Sequence, residues 1–565
     1  MPTRWLYPLL LAACTIIAYS DAAPPAFVYD DAAIIGQDPN PGGVSRISHL
    51  FLEGARAGTA GNPRLYRPLA MATLALDRAL YGEDPRGYHV TNILLHTLAT
   101  LALFGAIGAF GVDPLAAFLA ALVFGVHPIH TEVVDVAYNR SEILATLAVV
   151  GALWWLAVWI GRSVRWAFAG AALFYFAGLL SRESAATLPA LALLTFALLR
   201  PAPPEQRRSI LVAGIVATAV PFFLYVWMRQ TALGVPGGGI GRSLANGILG
   251  TDSVTGRLAQ VAVTVRDYWR MIVWPWPLRA SHEDYVVRNV ALALGLHAAL
   301  AAATLASLRR APALAFGIAF FYVALLPSTR LFGDPAVLAE RFVYLPSAGL
   351  AVALAFALAA LVRRYSARSV TAVALALAAA LTVVTLRRNL DWRSRRALWE
   401  AEARWTHDDW KVLLNLGEVY VQQGRHLEAL ALCDRGLSLA PTQRGFLSNR
   451  GIALASLGRP DEAAASFERA IVLSGGESTE HANLARLYAM TGRPALAEEQ
   501  YSKAVSREEN EAIRHALHGE MLLYCRSDRA SAAAEFQAAL ALAPRLRQAQ
   551  QGLRLAQGLP AVAPR

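Results

Sequence analysis

Cysteine is scarce in this chain of 565 residues: Cys14, Cys433 and Cys525 are the only three. They lie too far apart in sequence to suggest a disulfide framework or a cysteine-based metal site. Lysine is scarcer still, at Lys411 and Lys503 alone, and charged residues of all kinds make up only 16% of the chain. The arginine excess gives a net charge of +11, which in a soluble protein would suggest nucleic acid. Here much of the arginine falls in short segments between apolar runs, where it sets orientation in a membrane, and no DNA- or RNA-binding motif is present. The heavy use of arginine and alanine points to a high-GC bacterial genome. What is abundant is apolar: 56% hydrophobic residues and a mean hydropathy of +0.38 are too much for a soluble protein of this length. The composition predicts an all-α, polytopic membrane protein.

Apolar runs fall at about 5–20, 88–110, 114–127, 142–161, 165–181, 185–200, 209–228, 290–307, 312–326, 345–362 and 369–386, about eleven spans. The first contains Leu11-Ala12-Ala13-Cys14, which looks like a lipoprotein signal, but it runs on through Thr15 to Ala18 and suits an uncleaved span better. Under this count Arg162, Arg165, Arg200, Arg207, Arg208, Arg309, Arg310, Arg363, Arg364 and Arg368 share one face, which the positive-inside rule makes cytoplasmic. Asp30, Asp31, residues 127–141, Ser181 to Ser184, Leu338 to Arg341 and everything after Leu386 then share the outer face. The cluster Arg387, Arg388, Arg393, Arg395 and Arg396 breaks the charge rule there and suits lipid phosphate. Segments 64–82 and 257–276 mix Arg and Asp into an apolar pattern and are expected to lie as helices in the interface. The glycine-rich stretch Gly234 to Ser253 reads as a mobile cover over a cavity.

From Trp410 the pattern changes to soluble repeats. Leu413, Leu416, Gly417, Tyr420, Gly424, Ala429 and Pro441 match the 34-residue tetratricopeptide pattern. Gly451, Gly458, Ala463, Phe467 and Ala470 repeat it, as do Leu484, Ala485, Tyr488, Gly492, Ala497, Tyr501 and Ala504. A fourth unit, slipped by one residue, supplies Ala532, Phe536, Ala539 and Pro544. Stacked units leave a concave groove fit for a peptide. The expected organisation is a membrane domain over 1–390 with its first outer loop at 21–87, a linker at 391–409, repeats over 410–545 and a tail at 546–565 that begins as a capping helix.

The polar residues of the outer face carry the chemistry. Asp30 and Asp31, in Phe27-Val28-Tyr29-Asp30-Asp31, sit where the chain leaves the first span. A carboxylate pair there serves as a general base for an acceptor hydroxyl, its pKa nudged by its twin, or is simply a solvated loop. His127, His130 and Glu132 end the third span; Pro128 breaks the helix that would align them on a metal, so they are expected to line a polar cavity. A divalent metal is not favoured, and no cofactor is expected. Arg140, Arg182 with Glu183, and Glu340 with Arg341 and Tyr344 lie at the same face. Each alone has an ordinary reading as a helix-start pair or a snorkelling side chain. Together they suit a lipid-linked phosphate: guanidinium groups hold the phosphate as the sugar departs, a carboxylate deprotonates the attacking hydroxyl, and an apolar groove holds the tail.

The VYDD stretch at 28–31, Arg67-Pro68-Leu69 with Gly87 to His96, His127 to Glu132, Arg182-Glu183, Ala339-Glu340-Arg341 with Tyr344 to Ser347, Arg388-Asn389 with Trp392, and the repeats together resemble the transmembrane and tetratricopeptide-repeat O-mannosyltransferases. The resemblance covers nearly the whole chain. It implies a GT-C type membrane domain followed by an α-solenoid, a polyprenyl-phosphate sugar as donor, and Asp30 or Asp31 as base in an inverting displacement. It also implies an acceptor protein or peptide presented by the repeats in the lumen or periplasm. Arg182 stands where that family more often has lysine before the glutamate. Bacterial composition favours an inner-membrane location and undecaprenyl phosphate as carrier. The phosphate-binding and cavity-lining set is then Arg67, His127, His130, Glu132, Arg140, Arg182, Glu183, Glu340, Arg341 and Tyr344. Two other readings stay open: a non-catalytic membrane scaffold whose repeats recruit partners, and a ligase or polymerase of lipid-linked glycans.

Overall fold

The computed structural model describes residues 3–22, 24, 26–35, 47–53, 65–162, 166–199, 207–233, 254–329, 331, 338–544 and 546–560. The stretch Gly234 to Ser253 lies outside them. Among the described residues there is no strand, and the chain divides into two compact units, Met1–Leu398 and Trp399–Arg565.

The first unit runs through α1 (Thr3–Ala18), the short α2 (Asp30–Ile34) and α3 (Ile47–Glu53), α4 (Pro68–Tyr81), α5 (Pro85–Ala109), α6 (Pro114–Gly125), α7 (Thr131–Val134), α8 (Arg140–Arg162), α9 (Ala167–Ser181), α10 (Leu188–Leu198), α11 (Arg207–Leu233), α12 (Val254–Val273), α13 (Val290–Ser307), α14 (Pro312–Leu325), α15 (Tyr344–Arg364) and α16 (Ala367–Asp391). Each of the eleven apolar runs is a helix. Among the described residues six helices, within α5, α8, α11, α13, α15 and α16, are long and apolar enough to cross a bilayer, and α6 with the turn after it makes a seventh if counted as one bent span. The other four, α1, α9, α10 and α14, are apolar but shorter than 18 residues. The two stretches read as interfacial are the helices α4 and α12.

Local chemistry starts these helices where the sequence turns apolar. Asp84 and Asp113 cap α5 and α6 by accepting from Arg86 N and Leu115 N, each with proline in the first turn. Burial ranks the spans: 72% of the apolar window of α8 is buried against 11% of that of α13, so α8 is central and α13 offers nearly its whole surface to lipid. Helices α14 and α15 approach closely at small residues. A Cβ on Gly317 would sit 2.5 Å from Ala353 Cβ, nearer than packed carbons allow.

The polar end of this unit is tied across the chain. At Val126 the helix α6 stops, and His127-Pro128-Ile129-His130 turns into α7 at an angle of 49°. Thr385 Oγ1 on α16 donates to Val126 O at 2.7 Å, Tyr19 OH donates to His127 O at 3.0 Å, and Asn389 Nδ2 donates to Ala18 O at 2.9 Å. Thr385 and Tyr19 thereby satisfy carbonyls that the break would leave bare, and Asn389 does the same at the end of α1.

The second unit begins in α17 (Arg395–Ala403) and continues as helix pairs: α18 (Trp410–Gln422) with α19 (His426–Leu439), α20 (Arg444–Ser456) with α21 (Pro460–Ser474), α22 (Ser478–Met490) with α23 (Pro494–Arg507), and α24 (Glu511–Cys525) with α25 (Arg529–Leu542), closed by α26 (Arg547–Ala556). The turn inside each of the first three pairs holds a left-handed glycine, Gly424, Gly458 and Gly492, with φ of +74°, +73° and +72°. In the fourth pair the positive φ passes to Ser527, at 55°. That is one residue later than the period requires, and it is the physical form of the slip seen in the sequence.

Candidate active site

The tight turn before α2 carries the carboxylate pair. Tyr29 is held at φ 56°, a conformation costly for a non-glycine residue and kept only where the surroundings fix it. Its hydroxyl donates to Ala280 O at 3.2 Å and its ring packs edge-on against Trp392 at 5.9 Å. The two aspartates that follow go to different places. Asp31 is fully buried and accepts from Ala137 N and Tyr138 N, both at 2.7 Å. Burial pushes its carboxyl up to about 7, with the two backbone N–H bonds pulling the other way. Asp30 is half-buried and faces a cavity.

That cavity, of about 400 Å³, is lined by Asp30, Leu65, Arg67, Tyr138, Asn139, Arg182, Glu183, Ser184, Pro327, Ser328, Arg341 and Phe342. Its three arginines come from distant parts of the chain, and a glutamate holds each. Arg67, ahead of α4, donates through Nε and Nη2 to Glu183 Oε2 at 3.1 and 2.8 Å. Burial is the largest influence and opposes the Arg67 cation, but Glu183, Tyr138 and Glu142 together outweigh it, so its pKa lies above the ordinary value. Arg182 meets Glu142 Oε1 at 2.9 Å and donates to Ser141 Oγ at 3.0 Å. Arg341 is paired with Glu132, which also accepts from the Arg341 backbone N–H at 2.9 Å. Glu142 and Glu132 are almost wholly buried behind their partners, with 3% and 1% of their side chains exposed. The Phe342 ring lies between two of the cations, 5.8 Å from Arg182 and 5.1 Å from Arg341. The outcome is a concave site with fixed guanidinium groups on several walls and two carboxylates among them, Asp30 and the Glu183 that holds Arg67.

The remaining residues singled out in the sequence lie off this cavity. Arg140 is fully buried; it pairs with Asp77 at 2.5 Å and donates to Asn92 Oδ1, Ala137 O and Tyr88 O at 3.0, 3.2 and 3.0 Å. It holds α8 against α4 and α5. His127 Nε2 lies 3.0 Å from Ile272 O, and His130 Nε2 lies 3.0 Å from Ser347 Oγ. Tyr344 OH is 2.6 Å from His96 Nδ1. These side chains support the wall from within the core. Glu340 faces Arg388 at 3.6 Å, and Arg388 reaches Asp391 at 3.2 Å. Among the described residues no group of three His, Cys, Asp or Glu side chains is placed to hold a metal. Sequence reasoning did not single out Tyr138, Ser184, Ser328 and Phe342 of the lining, nor Glu142 as the partner of Arg182.

Comparison with known proteins adds the relatives. Residues 411–443 match the tetratricopeptide repeat family model. The chain is 34% identical over 153 residues to the Caenorhabditis elegans protein O-mannosyl-transferase F38B6.6, covering 26% of this chain and 22% of that protein. It is 25% identical over 514 residues to the human protein O-mannosyl-transferase TMTC4, covering 76% of this chain and 66% of that protein. The chain is similar to proteins named protein O-mannosyl-transferases. It spans less than two thirds of the length of either relative. Among solved structures, the Archaeoglobus fulgidus oligosaccharyltransferase aligns over 94% of this chain and 72% of its own, at 14% identity and a TM-score of 0.41.

Proposed function

We propose that this protein is an integral membrane glycosyltransferase that moves a hexose, mannose or similar, from a polyprenyl-phosphate carrier to a hydroxyl of an acceptor protein. The observation that carries the reading is the gathering of Arg67, Arg182, Arg341 and Asp30 around one cavity. Guanidinium groups fixed by glutamates, those of Arg182 and Arg341 by buried ones, are preorganised for a phosphate, because little side-chain entropy remains to be lost on binding. Asp30 takes the proton of the acceptor hydroxyl as its oxygen attacks the anomeric carbon. The bond from that carbon to the phosphate oxygen breaks, and polyprenyl phosphate leaves with the electron pair toward the arginines. Attack opposite the departing phosphate inverts the anomeric centre. Asp31 is a positioning residue: it fixes the Ala137–Tyr138 backbone and so the cavity wall at Tyr138 and Asn139. Lipid contacts along the exposed spans hold the carrier's tail. In this reading the cavity at Asp30 opens to the outer compartment, the periplasm in a bacterium.

The test is transfer of labelled sugar from a polyprenyl-phosphate donor by the full chain in detergent. Asp30→Asn is expected to lower kcat by about 100-fold or more with an unchanged melting temperature. Full transfer by a correctly folded Asp30→Asn protein would leave the membrane-anchored scaffold as the better reading.

A further inference from the structure

Two of the three glutamates that hold the cavity's arginines are closed off from it, and the third is not. Glu132 and Glu142 stand behind Arg341 and Arg182 with 1% and 3% of their side chains exposed, whereas Glu183 keeps 37% of its own exposed and lines the cavity beside Arg67. The chain sends it there at the joint between α9 and α10. Helix α9 stops at Ser181, Arg182 is extended with φ −163° and ψ 149°, and Glu183 opens a short turn, so two adjacent side chains serve the same hollow. Arg67 donates to Glu183 with Nε and Nη2, and both bonds fall on Oε2. Among the described residues no other residue donates to Oε1, which remains for a ligand.

An open carboxylate is costly in a site built for phosphate. It repels the anion that the arginines attract, and salt screens that repulsion little inside a partly closed cavity. Arg67 needs no exposed partner to be held, since Arg182 and Arg341 are held by buried ones. Nor does the reaction need a second base besides Asp30. What the exposed oxygen supplies is a charged acceptor for a sugar hydroxyl, in an O–H···O⁻ bond stronger than a neutral one. A hexosyl group joined to a phosphate at the arginines shares with Glu183 a cavity of about 400 Å³, within the range of small-molecule sites, about 300–1,000 Å³. The charge also separates donor from product. The sugar-linked diester carries a single negative charge, and the monoester left after transfer carries about −1.5 to −2 near pH 7. We propose that Glu183 reads the sugar of the donor, Oε1 accepting from a hexose hydroxyl while the carboxylate charge turns away bare polyprenyl phosphate. The proposal rests on the reading of the cavity as a site for a polyprenyl-phosphate sugar.

The experiment measures binding, without turnover, of three lipids to the full chain in detergent: bare polyprenyl phosphate and its mannosyl and glucosyl forms. Glu183→Gln keeps the size of the side chain and removes its charge. It is expected to weaken the better of the two sugar-bearing lipids by about tenfold and to bind the bare lipid more tightly than wild type does. A carboxylate that did no more than hold Arg67 would, when lost, weaken sugar-bearing and bare lipid alike. Glu183→Asp keeps the charge and shortens the reach, so it should weaken the sugar-bearing lipid and leave the bare one at its wild-type affinity; it carries the test if the glutamine variant does not fold. Among monodeoxy forms of the preferred lipid, at least one should bind wild type weakly and lose nothing further in Glu183→Gln. Equal weakening of both kinds of lipid in a folded variant, or no weakening of the sugar-bearing one, overturns the inference. Transfer of labelled sugar by wild type is scored apart. Transfer with no effect of Glu183 on sugar binding removes the Glu183 role alone, while sugar binding set by Glu183 without transfer keeps that role and counts against the glycosyltransferase reading.

Discussion

Replacing Arg140 by methionine distinguishes a buried brace from a substrate ligand. The substitution removes the partner of Asp77 and withdraws donors from Asn92, Ala137 and Tyr88. Asp77 keeps only Thr91, whose hydroxyl donates at 2.8 Å, and its carboxylate is then left charged with 3% of the residue exposed. Breaking a buried pair on one side costs about 3–5 kcal/mol, which should lower the apparent melting temperature in detergent by about 5 °C or more. Adding Asp77→Asn removes the stranded charge but does not restore the side-chain donors lost to Asn92, Ala137 and Tyr88, so the double variant should recover about half of the loss and show a coupling of about 2 kcal/mol. Per folded molecule, sugar transfer by Arg140→Met should stay within about tenfold of wild type. A melting temperature that does not move, additive losses, or a collapse of kcat in a well-folded variant would each refute the assignment.

Arg341→Met and Arg182→Met remove guanidinium groups that face the cavity, and each should lower kcat/KM by about 100-fold, with the lysine variants recovering part of it, measured by donor titration. The Asp31 carboxyl, at about 7 in the folded protein against about 3.9 unfolded, holds a proton that the unfolded chain has released between those values. Its contribution to stability is therefore highest below about pH 4 and falls as pH rises to about 7. Asp31→Asn cannot titrate, so its melting temperature should gain on wild type across that window; a variant that loses ground as pH rises would contradict this. In the repeats, a Cβ on Gly451 would lie 2.5 Å from the Phe467 ring, so Gly451→Ala should cost about 1–3 kcal/mol of stability in thermal melts of the second unit.

The helices were legible because bilayer length and the 34-residue period are one-dimensional signals: every long apolar run became a helix, and the one-residue slip reappears at Ser527. The site was legible only in part. Arg140 and Arg182 read alike, each a cation near a glutamate at the membrane face, yet one braces the core and the other faces the cavity. Local spacing suggested an Arg182–Glu183 pair. The structure instead joins Arg182 to Glu142 and Arg67 to Glu183. Such partners, 40 and 116 residues apart, are chosen by helix packing, which no local pattern records. Asp30 and Asp31 are likewise identical neighbours until the turn at Tyr29 sends them different ways. Asn92 and His96 were part of the resemblance without a role; they prove to be the inner supports of Arg140 and Tyr344.

The ties from Tyr19 and Ala18 to His127 and Asn389, and from Thr385 to Val126, bear on how the protein is made. A ribosome delivers α1 hundreds of residues before α16, so during synthesis the carbonyls at the α6 break must wait for their last donors. Until the chain has been threaded past Asn389, Val126 O and Ala18 O lack these donors, and release of a shorter product by a premature stop leaves the break after α6 without its tie to α16.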